Sequence, residues 1–324
     1  MVAHSYFKPS VSLIGVFNIC PKICHSHKYD SQCFTQLLRA LFYLFICFFC
    51  QHGFADQTAP IVVRYPASDS NPYYYKRVKY YVEILDLALS KSDHKYQLQK
   101  ISLPFMNESR SQTNLVNGVY DVHWLNAQAS LDKDIQAVPI PLCKGLTGWR
   151  VLFIRPENQK EFSGVKNLKE LRNYTAGHGN DWPEVVRYES LQLPQKLSGS
   201  WKGLFYMLKQ KRIDYLSRSA LEIYDEEDAF PELGLKIESR LVLHYPATYY
   251  FYVNKNNQQL AKDIQIGLER ALADGSFDSI FNRHFSDKIN RLQIDKRRTI
   301  EMPSPADKNL IADQKAHPGF WFKR

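Results

Sequence analysis

Cysteine is almost missing from the body of this chain. Of its six cysteines, Cys20, Cys24, Cys33, Cys47 and Cys50 lie near the N-terminus and only Cys143 lies beyond. No disulfide framework can therefore brace the rest. Dense Lys/Arg runs with interleaved aromatics are also missing, apart from Lys296-Arg297-Arg298. A nucleic-acid partner is not expected, despite a net charge of +9 that Lys8, Lys22, Lys28 and Arg39 help to build. There is no Gly-x-Ser-x-Gly, no His-Glu-x-x-His and no P-loop. No internal repeat and no low-complexity tract occur. Cys20-x3-Cys24-His25-x-His27 has metal-ligand residue types, but no hydrophobic periodicity around it would hold them rigid. Neither metal nor cofactor is expected.

One long apolar run is present. Leu37 to Cys50 (LLRALFYLFICFFC) is broken only by Arg39, and Gly53-Phe54-Ala55 places small residues at the −3 and −1 positions of a cleavage site. A core of about a dozen apolar residues is short for a bilayer span and suits a secretory signal. The reading is a leader over 1–55 and an exported protein beginning near Asp56, with an uncleaved anchor as the alternative. The remaining ~270 residues can form two modest lobes.

Beyond Asp56 the pattern alternates between strand and helix. Ile61 to Tyr65 reads as a strand ended by Pro66. Tyr74, Val78, Tyr81, Val82, Leu85 and Leu89 fall at helical spacing. Tyr96 to Leu103 is a second strand, Ser109 to Val116 a short helix, and Val119 to Leu125 a third strand. A second unit follows. It comprises the strand-like Leu146–Ile154, a helix beginning near Val165, a Gly-rich turn from Gly177 to Pro183 with Asp181 as N-cap, a helix over Leu204–Lys211 and a short strand at Ile213–Leu216. Leu241 to Val253 is a strand broken at Pro246. Leu260, Ile264, Leu268 and Leu272 mark a helix closed by Gly275, and Phe277, Ile280, Phe281 and Phe285 mark another. Beyond Ser286 the chain is polar, and a loosely held tail over 287–324 is expected. This alternation predicts an α/β fold.

Several segments resemble one known pattern. Leu115-Val116-Asn117-Gly118-Val119-Tyr120-Asp121-Val122 is similar to the helix, x-Gly-x-x-Asp step of periplasmic solute-binding proteins of family 3, the amino-acid-binding type. Leu208-Lys209-Gln210-Lys211-Arg212-Ile213-Asp214-Tyr215 resembles the same step in a second lobe. Tyr249 to Leu260 resembles the return strand and helix start, and Ala271 to Phe281 the terminal helix pair. The resemblance spans most of 58–286. It implies a two-lobed periplasmic binding protein-like fold (type II), each lobe a mixed sheet flanked by helices. Lobe one would be 56–147 plus 250–286, and lobe two 148–249. It also implies a small ligand trapped between lobes, a membrane (ABC-type) transporter or sensor as partner, a periplasmic location and a monomer. The arginine that such proteins carry after the third strand is missing from Asn126 to Asp134. The turn Gly-x-Gly-x-Asp-Trp-Pro and the step Asp-Tyr-x-x-Arg resemble a divergent branch.

Ligands of open α/β sheets sit beyond the carboxyl ends of strands. That rule selects Tyr65 and Trp124 as aromatic walls and Gly177, His178, Gly179, Asn180, Asp181 and Trp182 as a turn whose N–H groups can hold an anion. Arg218 follows the short second-unit strand and can grip a carboxylate or phosphate; a salt bridge to Glu222 is the alternative. Arg150, on a crossing strand, faces either the cleft or an acid. These residues predict a small polar or anionic ligand. The competing class is an exported enzyme on the same scaffold, dehydratase-like or peptidoglycan-cleaving. It would need an acid or base from Asp69, Asp181 or Glu222, and nothing pairs these with a nucleophile. Asp225 to Asp228 reads as a solvated acidic surface.

Overall fold

The computed structural model describes residues 59–323 apart from 69–71, 105, 129–130 and 132, and the side chains of 72–76 are likewise set aside. The apolar block, the cleavage site and Asp69 lie outside the described residues.

The first elements are β1 (Ile61–Ala67), α1 (Pro72–Ser90), β2 (Tyr96–Ser102), α2 (Glu108–Val116), β3 (Val122–Asn126) and β4 (Ile135–Val138). The periodicity of Val78, Tyr81, Leu85 and Leu89 becomes the buried face of α1. α2 starts where Asn107 accepts the N–H of Arg110 and stops before Gly118, whose φ of +69° suits a residue without Cβ. β1 runs through Pro66, because its partner β2 pairs on register to Ser102 and an edge position tolerates the missing N–H.

The chain then crosses to a second set: β5 (Trp149–Ile154), α3 (Gln159–Gly164), α4 (Leu168–Leu171), β6 (Ala176–Gly179), α5 (Glu184–Ser190), β7 (Gln195–Ser198), α6 (Trp201–Lys209), β8 (Tyr215–Ser219), α7 (Ile223–Ala229), β9 (Lys236–Ile237) and β10 (Leu241–His244). It returns through β11 (Tyr249–Asn254), α8 (Gln258–Ala273) and α9 (Ser276–Leu292), and ends with β12 (Arg298–Glu301) and α10 (Lys308–Ala316).

β11 lies between β3 and β4, antiparallel to both, and β1 pairs parallel to β2. Asp121 joins these two pieces. Its N–H donates to Arg64 O at 2.9 Å, and its carboxylate takes Arg64 Nε at 2.9 Å and Nη2 at 2.7 Å. The second sheet has the order β12-β10-β5-β8-β6-β7, with β9 also on β5. Both parallel and antiparallel pairs occur in it. The molecule is thus a two-lobed α/β fold: the first lobe holds a parallel pair and a three-stranded antiparallel sheet, the second a mixed sheet of seven strands, with helices packed on them.

The expected loose tail is not loose. β12 extends the second sheet in parallel with β10, pairing Leu241 with Arg298 through His244 with Glu301. Leu292, Ile294, Ile300, Met302 and Trp321 are all buried. Few apolar residues carry this segment, and they are spaced too irregularly for a periodic pattern to show them. The chain therefore crosses between the lobes a third time.

Candidate functional site

A cavity of about 200 Å³ lies between the lobes, lined from both. Loops at the carboxyl ends of strands supply most of its wall, as open α/β sheets dictate. From the first lobe come Arg77 of α1, Met106 to Glu108, and Trp124 to Asn126. From the second come Arg150, Gly179, Asp181 to Glu184, Ser198, Gly199, Trp201, Arg218 and Glu222. A cavity of about 310 Å³ adjoins it between α1, α7 and α9 and shares Arg77, Thr147, Ser219, Glu222 and Tyr249. The smaller one carries the strand-end chemistry.

Three guanidiniums reach the smaller cavity, and each meets buried carboxylate. Arg218 Nε and Nη2 donate to Glu226 at 2.6 to 2.9 Å, and Nη2 lies 3.0 Å from Glu222 Oε2. Its Cζ lies 4.4 Å from the Trp182 ring centre. Arg150 Nη1 is 3.2 Å from Glu184 Oε1, and its Nη2 donates to Ser217 O at 2.7 Å. Arg77 Nη2 is 2.6 Å from Glu222 Oε1, a link between the lobes. Burying a guanidinium without an anion would cost several kcal/mol, which is why every one has a partner. Burial alone would raise Glu222, but Arg218, Arg77 and Arg150 outweigh it and hold its carboxyl down at about 2. Burial likewise opposes ionisation of Glu184, and Arg150, His178 and the Tyr245 hydroxyl reverse it, leaving that carboxyl lowered.

Two further carboxylates of the cavity, one from each lobe, have neutral donors among the described residues instead. Glu108 accepts from Asn126 Nδ2 at 2.8 Å, Asn126 N at 3.2 Å and Gln128 Nε2 at 3.4 Å. Burial pushes its carboxyl up to about 7, against the Asn126 donors and with the help of Glu184 and Asp181 nearby. Asp181 Oδ2 accepts the backbone N–H of Glu108 at 2.9 Å, a second polar link between lobes.

The structure brings Trp124, Arg150, Gly179, Asp181, Trp182 and Arg218 to this cavity. It takes Tyr65, Gly177, His178 and Asn180 elsewhere. Tyr65 lies half-buried against the core of the first lobe. Gly177 points at Ile213, Leu216 and Leu204, where a Cβ would have no room. His178 is wholly buried, with Nδ1 3.0 Å from Gln195 Oε1 and its ring 4.2 Å from that of Tyr188. Asn180 is exposed. The turn does not form the expected cradle for an anion. Asn180 N donates to Ser198 O and Trp182 N to Gly179 O. Asp181 does not cap α5 either; its carboxylate turns to α2. The salt bridge of Arg218 to Glu222 forms, and Glu226 joins it. The acidic run is therefore not a solvated surface throughout, since Glu226 has no exposed area and also accepts from Trp201 Nε1 at 3.1 Å.

Sequence reasoning missed Arg77, Glu108, Glu184, Glu226, Trp201 and Tyr249. Glu108 carried a signal: it lies just past the second strand, where the strand-end rule applies. Glu226 carried none, because nothing in a run of acids tells which one faces inward. Asp181 and Glu222, the acids considered for catalysis, are engaged by Glu108 N–H and by Arg77 and Arg218.

No protein-family model matches the chain, and no curated protein does. Solved structures do. An ancestral arginine-binding protein bound to arginine superposes with a TM-score of 0.51 at 16% identity, over 69% of this chain and 98% of that one. The GluR0 ligand-binding core in complex with L-glutamate gives 0.53 at 12%, over 70% and 99%. A histidine kinase sensor domain with similarity to periplasmic binding proteins gives 0.52 at 16%, over 71% and 97%. At these identities the likeness is one of architecture: this chain has the two-lobed fold of periplasmic binding proteins.

Proposed function

We propose that this protein is an exported solute-binding protein that captures a small polar molecule between its lobes. The single observation that supports the reading is the interlobe cavity, walled by strand-end loops of both sheets and closed by the Arg77–Glu222 and Asp181–Glu108 links. A site shared by two lobes couples occupancy to hinge closure, which is how such a fold reports or hands over a ligand. In this reading the lobes divide as the sheets do. Trp124, Trp182, Arg150, Arg218 and Asp181 touch or frame the ligand. The partner is a membrane transporter or a membrane sensor, and the location is the periplasm. Among the described residues no helix is long and apolar enough to cross a membrane.

Binding is preferred to catalysis because Glu184 and Glu222 are each paired with a guanidinium and Cys143, the one thiol among the described residues, is fully buried. Mass spectrometry of small molecules released from natively purified protein tests the reading, followed by calorimetry with the released compound. Saturable heat without product supports it. Turnover of the released compound would favour the enzyme.

A further inference from the structure

The charge arrangement of the cavity points to the sign of its ligand, an inference that rests on the binding reading above. Three guanidiniums line the wall, and Glu184, Glu222 and Glu226 already meet them at 2.6 to 3.2 Å. Among the described residues, the carboxylates of Glu108 and Asp181 take their hydrogen bonds from neutral donors: Asn126 and Gln128 for the first, the Glu108 N–H for the second. An incoming anion would have to compete with buried carboxylates for each guanidinium and would meet two further acids. An incoming cation would find those two acids without a counter-charge among the described residues. The tryptophans Trp124, Trp182 and Trp201 line the same space, and aromatic faces attract an organic cation through the ring quadrupole. Among the described residues no cluster of His, Cys, Asp and Glu is arranged to hold a metal.

We propose that the cleft binds a small organic cation, an ammonium or guanidinium compound, through the Glu108 and Asp181 carboxylates. This reverses the anionic preference that Arg218 suggests in sequence. Two elements face Glu108: Asn126 and Gln128 from the end of β3, and Asp181 and Glu184 from the β6–α5 turn, and among the described residues no basic side chain makes an ion pair to it. Its carboxyl stands at about 7, raised by burial and by its acidic neighbours. Cation binding needs it ionised, so affinity should fall roughly tenfold between pH 8 and pH 6. An anionic ligand would show the opposite slope.

The test is calorimetry on the full chain, cleared of bound ligand, with a matched four-carbon series: putrescine, agmatine, succinate and 1,4-butanediol. Saturable binding of putrescine or agmatine but not succinate is expected. The affinity should fall at least tenfold in Glu108→Gln and in Asp181→Asn, both of which keep the hydrogen-bond acceptor, with thermal unfolding confirming the fold. Binding of succinate with no binding of the amines would overturn the cation while leaving the cleft as a binding site. So would binding by the amines that neither substitution weakens or that strengthens toward pH 6. If no member of the series binds, the charge of the natively released compound on ion-exchange resin decides: retention on the cation exchanger supports the proposal, and any other behaviour overturns it. If nothing is released and nothing binds, the binding reading itself falls.

Discussion

The Asp181 carboxylate accepts the backbone N–H of Glu108 at 2.9 Å, so a turn of the second lobe satisfies the first N–H of a helix in the first. That N–H has no partner within α2, because the first turn of any helix leaves its donors open. Each lobe on its own would offer it only water. Asp181→Ala should cost about 1 kcal/mol in urea unfolding, the usual loss of a cap. It should also shift the ligand-free protein toward an open form with a larger radius of gyration by X-ray scattering. Unchanged stability and unchanged size would show that the link does not hold the lobes together.

Glu226 has no exposed area and meets Arg218 and Trp201. Removing one partner of a buried pair strands the other charge. Glu226→Ala should therefore destabilise by roughly 3 kcal/mol in chemical denaturation. A loss below the level of a surface substitution would mean that Arg218 finds another anion at little cost.

The C-terminal segment is a structural member. Trp321 is buried, its Nε1 donates to Asp313 at 3.0 Å, and its ring occupies the space where a Cβ on Gly145 would stand. Phe322 N donates to Lys144 O at 2.7 Å in the same crossing segment. Trp321→Ala should cost about 3 kcal/mol. Removal of 298–324 should lower the melting temperature further, because the second sheet loses β12. A melting temperature unaffected by the truncation would return the segment to the status of a loose tail.

Two buried histidines set a pH dependence. Burial lowers His123 to about 3. His178 is lowered to about 4, by burial first and then by Arg150 and Arg218, against Glu184 and Gln195. In both, the unfolded chain binds a proton near pH 6.5 that the folded chain refuses. Stability should thus rise with pH from about 4 to 6.5, with a limiting slope of about 1.4 kcal/mol per pH unit for each histidine. Glu108 acts in the opposite direction between its ordinary 4.5 and about 7, since the folded state holds that proton longer. Unfolding by urea at pH 4.5 and pH 6.5 checks this. Glu108→Gln should steepen the rise, and a flat profile in that variant would refute the assignment.

Strand and helix positions were readable wherever hydrophobic spacing had a period. Val78 to Leu89, Leu260 to Leu272 and Phe277 to Phe285 each became a helix face, and Tyr96 to Ser102 became a strand. The segment after Leu292 was not readable, because β12 is an edge strand of four residues with one buried side chain, Ile300, too short for alternation to register. Of the cleft, the strand-end rule found Trp124, Asp181, Trp182 and Arg218, since it depends on topology that periodicity implies. It did not find which guanidinium would be neutralised.

The alternation of apolar residues was enough to establish an α/β chain, because burial of one face per element is a local demand written residue by residue. The electrostatics of the cleft depended on folding. Arg218 and Glu226 lie eight residues apart, whereas Arg77 and Glu222, or Glu108 and Asp181, are far apart in the chain and meet only when the lobes do. The cost of an unpaired buried charge depends on what stands within a few ångströms. No pattern along the chain records those neighbours.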